Sequence, residues 1–286
     1  MIDDVLELPD GRTVGYTDTA TGGTPLLWCN GGPGSRLEGM GMAPEATDAG
    51  FRVVGVDRPG YGTSTPQPGR TIGGWVPDAL AVLDHLGIDT CATVGVSTGG
   101  AYALALAAAV PDRVQGLVAC CALTDMRWEE GKASMTDAGI QEMWAAPDRE
   151  TALAIGRENF GDDGSKLLEI APDVAQQLPA ADIALFMDPE FLQRLVPNLG
   201  ASFAQGVAGY VDDRLADGPG WGSFDVTAVL CPVGVIHGGS DTIVPVAHAH
   251  HTASIVPGAE LRVFDALGHF SILGEVLEAL TATLAR

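Results

Sequence analysis

The 286-residue sequence predicts an α/β fold, with a mostly parallel sheet covered by helices on both faces and one all-helical insertion. Three observations carry this. Short apolar, β-branched runs alternate with helical patterns up to residue 123, strand signals vanish from 124 to 224, and alternation resumes at 225. Strands that alternate with helices form parallel sheets, because each parallel pairing needs a crossover that then covers a sheet face. Since the alternation resumes, residues 1–123 and 225–286 read as one core and 124–224 as a helical cap, or lid, inserted in it.

The strand runs are residues 5–8, 13–16, 26–29, 52–56, 91–96, 114–121, 233–236 and 261–264. Pro9-Asp10-Gly11 joins the first two, and this turn chemistry makes them an antiparallel hairpin at one edge. Helical patterns fill 37–49, 72–86, 99–109, 246–255 and 272–284. Within the insertion, helix-like pieces are punctuated by Pro147, Gly161-Asp162-Asp163-Gly164, Pro172, Pro179, Pro189 and Pro197.

Composition narrows the function. Hydrophobic residues are 46% of the chain, enough for a large core, which excludes disorder and a small disulfide scaffold. The net charge of −22 repels phosphate backbones, so neither nucleic acid nor an anionic membrane is expected as partner. The insertion carries 7 basic and 18 acidic residues, which disfavours strongly anionic substrates. It also holds Trp128, Trp144, Phe186, Phe203 and Trp221, some of them candidates for lining an apolar pocket. Five irregularly spaced cysteines without a CxxC read as reduced core thiols of a cytoplasmic protein, not as a metal site. The N-terminus shows no basic segment followed by an apolar one. The longest helix-like apolar run is about half the ~18 residues of a membrane span.

Gly95-Val96-Ser97-Thr98-Gly99 joins a strand run to the helix former 101–109. A nucleophile on a strand-to-helix turn needs strained dihedrals and glycines on either side, so Ser97 is the candidate nucleophile. The competing reading, a phosphate loop, lacks its Lys-Ser/Thr signature. A serine needs a base, and His269 follows the last strand run, at the carboxyl edge where open sheets hold ligands. His85 lies on a helix and His237 reads as a packed neighbour of the acid loop. His248, His250 and His251 ride one acidic helix and read as a solvated face. Asp241, after the run 233–236, is the candidate acid to orient His269, and Asp125 is its competitor. Asn30-Gly31-Gly32-Pro33-Gly34-Ser35 offers bare backbone amides. Gly32 and Thr98 N–H are the candidate oxyanion donors.

In this order, Asn30-Gly31-Gly32-Pro33-Gly34, Asp57-Arg58-Pro59-Gly60-Tyr61-Gly62-Thr63-Ser64, Gly95-Val96-Ser97-Thr98-Gly99-Gly100 and the Asp241/His269 pair resemble the α/β-hydrolase superfamily. The resemblance covers about residues 10–123 and 225–286. It implies an eight-stranded sheet with a cap after strand six and a structural role for the segment 57–64. The loop at Asn30 is similar to that of proline iminopeptidases, but Asn30 stands where they carry histidine and Thr98 where they carry tryptophan. Such a peptidase also needs cap carboxylates for a free amine, for which Glu129, Glu130, Asp212 and Asp213 are available. Ser-Thr-Gly-Gly is similar to cofactor-free haloperoxidase-type esterases. The expectation is a serine hydrolase acting on a small neutral ester, amide or lactone through an acyl-enzyme, without cofactor or metal. The alternatives are an iminopeptidase-type aminopeptidase and a non-catalytic ligand-binding relative.

Overall fold

The computed structural model describes residues 1–166 and 177–286. Eight strands form one sheet in the order β1-β2-β4-β3-β5-β6-β7-β8. β1 (Ile2–Glu7) and β2 (Thr13–Asp18) are the antiparallel edge hairpin, with Glu7 opposite Thr13 across the Pro9-Asp10-Gly11 turn. β2 is also antiparallel to β4 (Phe51–Val56). All later pairings are parallel, through β3 (Thr24–Cys29), β5 (Cys91–Val96), β6 (Val114–Cys120), β7 (Val233–Gly238) and β8 (Ala259–Phe264).

The pleat of β3 shows how the two faces are covered. Leu26 and Trp28 point into an apolar cluster with α1 (Ala43–Asp48) and α11 (Val276–Leu284). Leu27 and Cys29 point the other way, against α2 (Val76–His85), α3 (Gly99–Ala109) and α10 (Ala247–Ile255). Burial on both faces is why the central strands read as continuous apolar runs. Because these strands are parallel, the loops after β3, β5, β7 and β8 all leave one edge of the sheet.

Between β6 and β7 the described residues form α4 (Glu129–Ser134), α5 (Ala138–Ala145), α6 (Arg149–Phe160), α7 (Ala180–Phe186), α8 (Pro189–Ser202) and α9 (Ala208–Asp217), with no strand among them. Asp137, Asp148 and Asp188 cap α5, α6 and α8, each accepting a first-turn backbone N–H. Pro179 precedes α7 and Pro189 opens α8, but Pro197 lies inside α8 rather than ending a helix. Tertiary anchoring overrides the local penalty there, because the next residue, Asn198, is buried and bonded to Ser35. Pro172 lies outside the described residues. Leu123, Met126, Met135, Met143, Val211 and Val244 pack the inserted helices onto the sheet edge.

The histidines of α10 do not form a solvated face. The helix bears no acidic residue, and His248 is fully buried. Its Nδ1 accepts the Thr124 N–H at 3.3 Å, so its proton is on Nε2, 3.1 Å from the Gly131 carbonyl. His251 stacks on Trp128 with ring centroids 4.3 Å apart. Only His250 of the three is exposed. The helix is a docking face for residues 124–134. Among the described residues no helix is long and apolar enough to cross a membrane.

Candidate active site

Ser97 sits between β5 and α3 with φ 51, in the left-handed region that a side chain disfavours. Its backbone is tied on both sides. Ser97 N–H donates to the Cys120 carbonyl at 2.9 Å, and its carbonyl accepts from Gly100 and Leu123 at 3.1 and 3.2 Å. The flanking glycines are required by close approach. A Cβ at Gly95 would lie 2.4 Å from the Gly99 carbonyl oxygen, and one at Gly99 only 2.0 Å from that of Cys29. The turn therefore holds Ser97 at the mouth of the sheet, where it is partly exposed.

The loops after β7 and β8 bring Asp241 and His269 together, with His269 Nδ1 2.8 Å from Asp241 Oδ2. Asp241 Oδ1 accepts the Ile243 and Val244 N–H groups at 2.8 and 2.9 Å, which fixes the carboxylate. His237 packs beneath, its Nε2 2.8 Å from the Val244 carbonyl and 3.3 Å from Asp241 Oδ2. Burial opposes ionisation of Asp241, but the charge of His269 and the hydrogen bond from His237 outweigh it and hold the carboxyl well below its usual range. Burial likewise pushes the His269 pKa down, yet the neighbouring Cys121 sulfur and Asp241 carboxylate raise it well above the ordinary histidine value.

Ser97 Oγ makes no hydrogen bond among the described residues. The end of β6 ties the backbone of Ser97 to the backbone of His269. Cys120 holds the Ser97 amide, and Cys121 directs its thiol to the His269 carbonyl at 3.5 Å. Hydrogen bonds between a nucleophile and its base are often open without substrate and close when it binds. Asp125, the competing acid, is not brought to His269. It pairs with Arg127 at 2.6 Å and accepts the Trp221 N–H.

After β3, Gly31 N–H is taken by the Glu38 carboxylate at 3.0 and 3.1 Å. Arg58 draws the Asn30 and Gly31 carbonyls back, at 2.5 and 2.7 Å. The Gly32 and Thr98 N–H groups have no acceptor among the described residues. Two unpaired amides beside a partly exposed serine can receive negative charge.

The inserted helices reach this loop with charged, buried side chains. Asp213 binds Arg58 at 2.6 Å, Arg70 at 2.5 Å, Tyr61 at 2.7 Å and Tyr102 at 3.1 Å. Burial opposes its ionisation, but Arg58 and Arg70 hold its carboxyl far below the usual range. Asp212 pairs with Arg149 at 2.6 Å. These acids are consumed by arginines and are not free to hold an amine, and Glu129 and Glu130 lie exposed on α4. Two of the insertion's acids, Asp212 and Asp213, are thus neutralised by arginines beside the site. Sequence reasoning also missed Glu38, Asp182 and Asn198. Asp182, on α7, accepts the Ser271 N–H at 2.8 Å and the Phe270 N–H at 3.3 Å, gripping the loop that carries His269. No local pattern marks these residues, because their partners lie far along the chain.

A family model described as alpha/beta hydrolase fold matches residues 24–276. The chain is 25% identical over 268 residues to the hydrolase YcgS of Bacillus subtilis, covering 93% of this chain and 91% of that protein. It is 27% identical over 266 residues to the 2-hydroxymuconate semialdehyde hydrolase of Pseudomonas putida, covering 92% and 86%. The crystal structure of the enol-lactonase of Burkholderia xenovorans superposes with a TM-score of 0.72 over 99% of this chain and all of that one, at 18% identity.

Proposed function

The chain belongs to the alpha/beta hydrolase fold family and is a hydrolase, and on that premise we propose that it cleaves a small neutral ester, amide or lactone through a Ser97 acyl-enzyme. Ser97 Oγ attacks the carbonyl carbon while His269 Nε2 takes its proton and then passes it to the leaving group. Water, activated by the same imidazole, attacks the acyl carbon and releases Ser97. Asp241 holds the imidazole with Nδ1–H toward the carboxylate and stabilises its charged form. The Gly32 and Thr98 amides receive the oxyanion.

The observation that carries this reading is the left-handed Ser97 on a glycine-enforced turn, at the same sheet edge as the loops that bear a 2.8 Å His269–Asp241 pair. A binding protein has no physical use for a strained serine with an unbonded hydroxyl. The pairing of Asp212 and Asp213 with arginines weighs against an aminopeptidase, which needs free carboxylates for its substrate's amine. The test is a panel of p-nitrophenyl esters of varied acyl length with a prolyl arylamide, together with labelling by a fluorophosphonate ester. Ester turnover and labelling that Ser97→Ala abolishes support the reading. Turnover of the arylamide alone supports the aminopeptidase, and labelling unchanged in Ser97→Ala overturns the nucleophile.

A further inference from the structure

A second buried arginine beside the loop after β3 is not needed to hold that loop, since Arg58 already binds its carbonyls. Arg214, on α9, is 2% exposed, and its Nη2 donates to the Thr98 side-chain hydroxyl. A Cβ built on Gly32 would lie 3.0 Å from Arg214 Nη2 and 3.1 Å from Thr98 Oγ1. One guanidinium therefore lies directly against both residues whose amides have no acceptor among the described residues. A guanidinium only donates, so the Thr98 hydroxyl accepts from it and turns its own proton elsewhere.

We propose that Arg214 is a positioning residue of the oxyanion pocket, holding Thr98 against Gly32 and placing a fixed positive charge behind the two amides. The proposal rests on the Ser97 hydrolase reading. Charge that develops on the carbonyl oxygen is stabilised by any preorganised cation close by, and more strongly where water is excluded. Its counter-ions offset this charge only in part: Asp213, whose Oδ2 lies 3.4 Å from the same Gly32 Cβ, is shared with Arg58 and Arg70. Asp217 lies 2.6 Å from Arg214 Nη2, but burial pushes its carboxyl up to about 7, despite Arg214, so near neutral pH part of the population carries no negative charge there. The guanidinium carbon also lies 5.0 Å from the Tyr210 ring centroid, a cation–π contact that helps to hold it. The inserted helices thereby supply part of the catalytic field, and not only a cover.

The test compares Arg214→Met, Arg214→Lys and Thr98→Val with the parent enzyme on a p-nitrophenyl ester. A trifluoromethyl ketone serves as a mimic of the tetrahedral oxyanion. In Arg214→Met and Thr98→Val, kcat is expected to fall about 10- to 100-fold with KM within about threefold, and ketone affinity to fall by a matching factor. Arg214→Lys restores part of both. A merely structural role lowers thermal stability without this parallel loss of kcat and ketone affinity. Unchanged kcat in Arg214→Met, or lost kcat with full ketone affinity, overturns the proposal. Should Arg214→Met not fold, Thr98→Val, close in volume to the parent, decides alone by the same two readouts. Ser97→Ala separates the two ideas: loss of turnover there upholds the hydrolase reading whatever Arg214 does, and retained turnover removes both.

Discussion

Replacing Ser97 by glycine and by alanine separates what the residue does for the reaction from what it costs the fold. Its hydroxyl makes no hydrogen bond among the described residues, whereas its backbone is bonded to Cys120, Gly100 and Leu123, which neither substitution removes. Removing the hydroxyl therefore sacrifices no internal bond, and Ser97→Ala is expected to match or slightly exceed the parent in stability. With φ 51, a residue bearing a Cβ carries a strain of about 1–2 kcal/mol. Glycine removes that strain but has about 0.5–1 kcal/mol more chain entropy to lose on folding. The net is a Ser97→Gly protein more stable than Ser97→Ala by roughly 0.5–1 kcal/mol, or about 1–4 °C in Tm. Both variants should lose about 10³- to 10⁶-fold in kcat. Urea unfolding and calorimetry read the first quantity, and ester hydrolysis at saturating substrate the second. A glycine variant less stable than the alanine one would falsify the strain argument, and near-normal turnover in either would remove Ser97 from the reaction.

Other consequences follow from the same geometry. Because Cys121 and Asp241 raise the His269 pKa against burial and the imidazole must be neutral to accept a proton, kcat/KM should rise with pH through a group titrating above the ordinary histidine value. Asp241→Asn should move that limb to lower pH while cutting the plateau, and a flat profile from pH 5 to 9 in the parent contradicts the role of His269. Burial lowers the pKa of His248 to about 4, so the folded state binds fewer protons than the unfolded chain. Its stability contribution is complete above about pH 6.5 and lost as pH falls toward 4, at a total of about 3 kcal/mol. His248→Gln should flatten the acid slope of stability in urea unfolding at stepped pH, and an unchanged slope refutes the assignment. Asp182→Ala leaves the amides of Phe270 and Ser271 without their acceptor. We expect about a tenfold fall in kcat with little change in KM, and equal falls in folding stability without loss of kcat would show that the contact serves only the fold.

The inserted helices act on the site through side chains rather than by enclosure alone. Asp182 holds the His269 loop, Asn198 holds Ser35 in the loop after β3, and Asp213 and Arg214 reach Arg58 and Thr98. Opening these helices as a unit would leave buried charges unpaired on both surfaces, at several kcal/mol per uncompensated ion. The geometry favours substrate entry by local shifts over wholesale opening.

Much of this protein was legible in its residues because the physics that decides it is local. Apolar runs of strand length, the turn at Pro9-Asp10-Gly11 and the glycines around Ser97 each act over a few neighbouring residues, and they set the strands, the edge hairpin and the sharp turn that carries Ser97. His269 and Asp241 could be found because parallel strands deliver their following loops to one edge. The tertiary structure alone decided which charges meet. Arg58 and Asp213 are 155 residues apart, and Arg214 and Thr98 are 116 apart. His248, read as a wet surface residue, is buried because residues 124–134 fold onto its helix. Pairing across such separations depends on how helices pack, which no periodicity or turn chemistry encodes. A carboxylate's role follows from its partner, and only packing supplies the partner.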